Sequence, residues 1–89
     1  MTENDISREV VDVALRVHKG LGPGLFESVY ETVVAGELGK RGLNVLTQVN
    51  IPVVFEETHF EMGFRADLIV ENLVIVEIKS ILCFSVLSG

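Results

Sequence analysis

Arg65-Ala66-Asp67-Leu68-Ile69-Val70, then Glu71-Asn72-Leu73, then Val74-Ile75-Val76-Glu77-Ile78-Lys79: two apolar runs with charges in their middles flank a short break that holds Glu71 and Asn72. The pattern reads as two strands of a hairpin. Glu77 and Lys79 are two residues apart and face one way, while Val76 and Ile78 face the other. Whether Asp67 joins them depends on the turn, because a slip of one residue sends every side chain of a strand to the opposite face. A two-residue turn at Glu71-Asn72 sets Asp67 opposite Val76. A three-residue turn over Glu71 to Leu73 pairs Val70 with Val74, Ile69 with Ile75 and Asp67 with Glu77. The second register matches apolar with apolar on both faces and is the one expected.

Upstream of the hairpin, Val45, Thr47, Val49, Ile51 and Val53 alternate with Asn44, Leu46, Gln48 and Asn50, the period of a further strand. Pro52 marks an edge or a bulge near its end, and Glu56-Glu57-Thr58 turns the chain into the strand from about His59 to Val70. The N-terminal half has a helical period instead. Ile6, Val10, Val13, Ala14, Val17 and Leu21 recur at three- and four-residue steps over about Asp5 to Lys19, with Asn4 or Asp5 as N-cap and Gly20 as stop. Phe26, Val29, Tyr30, Val33, Val34 and Leu38 do the same over about Leu25 to Arg41. Gly20-Leu21-Gly22-Pro23-Gly24 between them follows a helix rather than a strand, so it reads as a turn and not as a phosphate-cradling loop. Gly36 and Gly39 weaken the second helix unless another backbone approaches there. The expected fold is α+β: two N-terminal helices followed by a three-stranded, mainly antiparallel sheet. The last stretch, Ile81 to Gly89, is too apolar to be a solvated tail and is expected to pack on the sheet or on a second copy of the chain.

The chain of 89 residues has room for one hydrophobic core. Its net charge is −6, and residues 43 to 89 hold Glu56, Glu57, Glu61, Asp67, Glu71 and Glu77 against Arg65 and Lys79, a balance of −4. Phosphate backbones are bound by surplus Lys and Arg, so this half is unsuited to tight binding of nucleic acid on its own. It is suited to a cation. One cysteine, Cys83, excludes an intramolecular disulfide, and with His18 and His59 it gives no zinc spacing. No apolar run approaches the roughly 18 to 20 residues that span a bilayer, so a soluble, cytoplasmic chain without membrane contact is expected.

Two carboxylates facing each other on neighbouring strands repel unless positive charge lies between them. A divalent cation and the Lys79 ammonium can supply it. Hard oxygen ligands that hold Mg²⁺ or Mn²⁺ beside a lysine suit phosphodiester hydrolysis; the same residues also make a hairpin ion pair, worth about 0 to 1 kcal/mol when exposed.

Asp67 followed after a hairpin by Glu77-Ile78-Lys79 resembles the D…(D/E)-x-K signature of the PD-(D/E)XK nuclease superfamily. Gly24-Leu25-Phe26-Glu27-Ser28-Val29-Tyr30 reads as G-x-x-E-x-x-Y and looks like the element that names the GxxExxY group of that superfamily. The order of helix, G-x-x-E-x-x-Y, three strands, R-A-D and E-x-K matches over residues 1 to about 80. The resemblance implies a partial restriction-endonuclease-like core, with Asp67 and Glu77 as direct ligands of Mg²⁺ or Mn²⁺, Glu27 as a helix-borne carboxylate approaching the metal, and Lys79 as catalytic lysine. Tyr30 either faces the site or is a core aromatic; Arg65 either contacts phosphate or pairs with a neighbouring acid. DNA or RNA is the implied substrate, reached through the metal. Family members continue past E-x-K for a further helix and strand. This chain ends ten residues after Lys79, so a single domain at 1–89 without those elements is expected, self-associating through residues 81–87. The alternative to a nuclease is a non-catalytic binding or assembly module on the same scaffold.

Overall fold

The computed structural model describes the backbone of residues 1–80 and 83–88 and the side chains of residues 1–60 and 63–78. Its elements run α1 (Glu3–Leu21), α2 (Glu27–Lys40), β1 (Val45–Phe55), β2 (Thr58–Val70), β3 (Val74–Ser80) and β4 (Cys83–Ser88). The four strands form one antiparallel sheet in the order β1-β2-β3-β4. The expected sheet of three strands is thus corrected to four: the backbone of residues 83–88 pairs along β3, with Glu77 opposite Ser85 and Ile75 opposite Leu87. A segment with so little periodicity of its own is ordered by the strand it meets. Residues 81, 82 and 89, and the side chains of the rest of that segment, lie outside the described residues, and with them the expected interface through residues 81–87.

Helix α1 begins earlier than the apolar period indicates, because Thr2 caps it. The Thr2 hydroxyl accepts the Asp5 N–H at 3.2 Å, and the Asp5 carboxylate accepts the Thr2 N–H at 2.9 Å, a reciprocal pair that satisfies two end donors. The expected caps Asn4 and Asp5 therefore lie inside the helix. Its end is displaced too. The helix passes through Gly20 and stops at Gly22, whose φ is 74° and whose N–H donates to the His18 carbonyl at 2.8 Å. Helix α2 ends near Arg41, as expected: Gly42 takes φ 84°, Leu43 N–H returns to the Leu38 carbonyl and Gly42 N–H to that of Gly39, a Schellman ending. Among the described residues nothing outside the helix lies within 4 Å of a Cβ placed at Gly36 or Gly39, so no other backbone approaches them there. Phe26, expected on the apolar face of α2, stands at its N-cap and is exposed.

Both helices cover one face of the sheet. Ile6, Val10, Val13 and Val17 of α1 and Tyr30, Val34 and Leu38 of α2 are buried with Leu68, Val70, Val74, Val76 and Ile78. Arg41, just past α2, ties the helices together by pairing with Glu9 and with Asp12, the latter at 2.6 Å; these two acids, Asp12 foremost, raise the guanidinium pKa. β1 is an edge strand with a register shift between Ile51 and Val53, so Pro52 satisfies both of the roles expected of it. The tip of the β1–β2 hairpin projects beyond the helices and exposes Val53, Val54, Phe55 and Phe60.

Candidate metal centre

The β2–β3 hairpin takes the three-residue register: Val70 pairs with Val74, Ile69 with Ile75 and Leu68 with Val76. Glu71 and Asn72 accomplish the turn with left-handed backbone, φ 54° and 55°, and Leu73 N–H closes it on the Val70 carbonyl at 3.1 Å. Asparagine tolerates that conformation better than most residues, which suits Asn72. The buried face of the two strands is Ala66, Leu68, Val70, Val74, Val76 and Ile78. Asp67 and Glu77 alternate with these residues, are half-buried, and lie on the face turned away from the helices.

Main-chain pairing of β2 with β3 stops at Leu68 and Val76. Beyond it, Asp67 Oδ2 accepts the Ile78 N–H at 2.7 Å, where continued pairing would have brought a β2 carbonyl. The bond is charge-assisted and fixes the carboxylate between the strands. One oxygen of Asp67 is thus held on β3 by the residue next to Glu77. Mg²⁺ is commonly held by one or two carboxylates, with water and substrate phosphate completing the shell. Asp67 and Glu77 fit that requirement in residue type and share one face of the sheet. Among the described residues no three His, Cys, Asp or Glu side chains gather into a metal-holding group, so the fit rests on this pair.

The other expected site residues are placed as follows. Glu27 opens the first turn of α2 and is exposed; it does not form a three-carboxylate group with Asp67 and Glu77. Tyr30 is buried at 5% exposure and its hydroxyl donates to the Gly22 carbonyl, so it is the core aromatic of the two alternatives, its ring 6.2 Å from that of His18. Arg65 is exposed on β2, paired across to Asn50. Lys79 belongs to β3, and its side chain lies outside the described residues.

Gln48 and its partner Glu31 carry no sequence signal. Gln48, the β1 residue that faces Asp67 in the register, has φ 51°. Its side-chain amide donates to both carboxylate oxygens of Glu31, at 2.7 and 2.9 Å. A glutamine at a polar strand position gives no indication of left-handed backbone; only the partner on α2 reveals it.

Two helices on one face of a four-stranded antiparallel sheet define an α+β domain. Residues 4–87 match the family model of the PD-(D/E)XK nuclease superfamily, and the chain belongs to that superfamily. Comparisons with curated proteins and with solved structures gave no match. No helix among the described residues is long and apolar enough to cross a membrane.

Proposed function

We infer that the chain is a metal-dependent nuclease of the GxxExxY group that hydrolyses phosphodiesters of DNA or RNA at Asp67, Glu77 and Lys79. The observation that supports this most is the Asp67 carboxylate held at 2.7 Å by the Ile78 N–H, on the strand that carries Glu77 and Lys79. Asp67 and Glu77 would hold Mg²⁺ or Mn²⁺, which when bound polarises the phosphate and acidifies a water. Lys79 orients that water or stabilises the charge developing on phosphate oxygens. Glu27 approaches from α2 through water, and Arg65 steadies a flanking phosphate. The setting is the cytoplasm, and a second copy of the chain pairs through residues 81–87 along β4, an edge of the sheet with one side open to another strand.

Cleavage of labelled single- and double-stranded DNA and RNA in Mg²⁺ or Mn²⁺ tests the reading. Activity is expected to vanish in EDTA and to fall by about a hundredfold or more in Lys79→Ala. A second reading, a non-catalytic binding module, draws on the exposed Val53, Val54, Phe55 and Phe60 at the hairpin tip and on the net charge of −6. Absence of cleavage with metal present, together with loss of a bound partner on Phe55→Ser and Phe60→Ser, would favour it.

A further inference from the structure

Pairing between β1 and β2 runs Val45 with Val70, Leu46 with Ile69 and Thr47 with Leu68, then resumes at Val49 with Ala66. The pair that this register sets between them, Gln48 with Asp67, is not formed. Glu71 N–H donates to the Asn44 carbonyl at 2.8 Å, and main-chain groups alternate in direction along an antiparallel strand. Asp67 therefore aims its own N–H and carbonyl at position 48. Gln48 does not meet them, because its φ of 51° takes it out of the extended conformation. A glutamine occupies that region only where its surroundings impose it. The partner that Gln48 meets there is Glu31: the amide nitrogen of Gln48 reaches both its oxygens, and Glu31 is carried by helix α2.

We propose that Gln48 and Glu31 form a latch that positions Asp67. Holding residue 48 out of the regular ladder loosens the β1 side of Asp67, and its carboxylate takes the Ile78 N–H of β3 on the other side. Gln48 and Glu31 are positioning residues; neither touches the reacting atoms. The value of this for metal binding rests on the reading of Asp67 as a ligand given above, whereas the latch itself does not.

Amide hydrogen exchange at Ile78, followed by NMR on the whole chain without metal, tests the latch in Glu31→Ala, Gln48→Val and Gln48→Gly. In the first two, position 48 returns to extended backbone and re-pairs with Asp67, and the Ile78 amide exchanges about tenfold faster as its acceptor withdraws. Glycine enters left-handed backbone without a Cβ penalty but has no amide for Glu31 to hold, so Gln48→Gly exchanges at Ile78 faster than wild type and no faster than Gln48→Val. Unchanged Ile78 exchange in both Glu31→Ala and Gln48→Val overturns the proposal, as does a Gln48→Gly chain that keeps the full wild-type protection. Mn²⁺ titration of the same four proteins separates the two claims. Weaker Mn²⁺ binding in step with Ile78 exchange supports the latch as part of the metal site. The expected exchange pattern with no Mn²⁺ binding even by wild type sustains the latch and sinks the ligand reading.

Discussion

Replacing Asp67 by asparagine keeps an oxygen that can accept the Ile78 N–H and removes the charge a cation needs, whereas alanine removes both. Leaving a half-buried N–H without its acceptor costs about 1 to 3 kcal/mol, so Asp67→Ala is expected to lower the urea midpoint clearly. Asp67→Asn should stay near wild type in that measurement and lose metal-dependent activity as fully as alanine does. Similar midpoints for alanine and wild type would mean that the Ile78 bond contributes nothing. Tyr30 makes the opposite kind of case. Its hydroxyl is occupied by the Gly22 carbonyl and its ring is buried, so Tyr30→Phe is expected to cost about 0.5 to 1.5 kcal/mol of stability and to leave kcat unchanged.

At the level of the elements, the β1–β2 hairpin depends on Gly63. A Cβ placed there would stand 2.2 Å from Cγ2 and 2.5 Å from Cβ of Val53, and forced overpacking costs about 1 to 3 kcal/mol. Gly63→Ala is expected to destabilise by an amount in that range, with Val53→Gly restoring part of it. The start of α1 sets a pH dependence. The Thr2 N–H bonded to the Asp5 carboxylate, followed by the Thr2 hydroxyl, lowers the Asp5 pKa below the ordinary value. The folded chain then binds this proton less readily than the unfolded one, so the stabilisation is present above about pH 4 and is lost as the pH falls further. The stability difference between wild type and Asp5→Asn is expected to shrink over that fall, and a constant difference would contradict the assignment. Much of this was legible in the sequence. The hairpin register follows from apolar matching of Val70 with Val74 and Ile69 with Ile75, and two helices follow from period alone. The Thr2 cap lay outside the apolar period, β4 is ordered by β3 rather than by its own pattern, and the left-handed Gln48 has its partner in Glu31, seventeen residues earlier.

Over the whole molecule, one core carries the fold and one face of the sheet is left for function. Leu38 is fully buried between the helices and the sheet, and Leu38→Ala is expected to cost about 2 to 5 kcal/mol, a large share of the roughly 5 to 15 kcal/mol that holds such domains together. The radius of gyration is 13.7 Å, above the roughly 12 Å of a compact chain of this length. The balance of −4 in residues 43 to 89 repels phosphate, so nucleic acid is expected to bind weakly in EDTA and more tightly with Mn²⁺ or Ca²⁺ present; a tight gel shift in EDTA at moderate salt would contradict this. Whether Asp67 and Glu77 together hold a divalent cation is decided by thermal unfolding of wild type, Asp67→Asn and Glu77→Gln with and without millimolar Mn²⁺. Binding at a hundred times Kd stabilises the native state by about 2.7 kcal/mol, so a rise in Tm of about 10 °C or more is expected for wild type and none for either variant. An unmoved wild-type Tm, or a rise of equal size in all three proteins, would contradict the account.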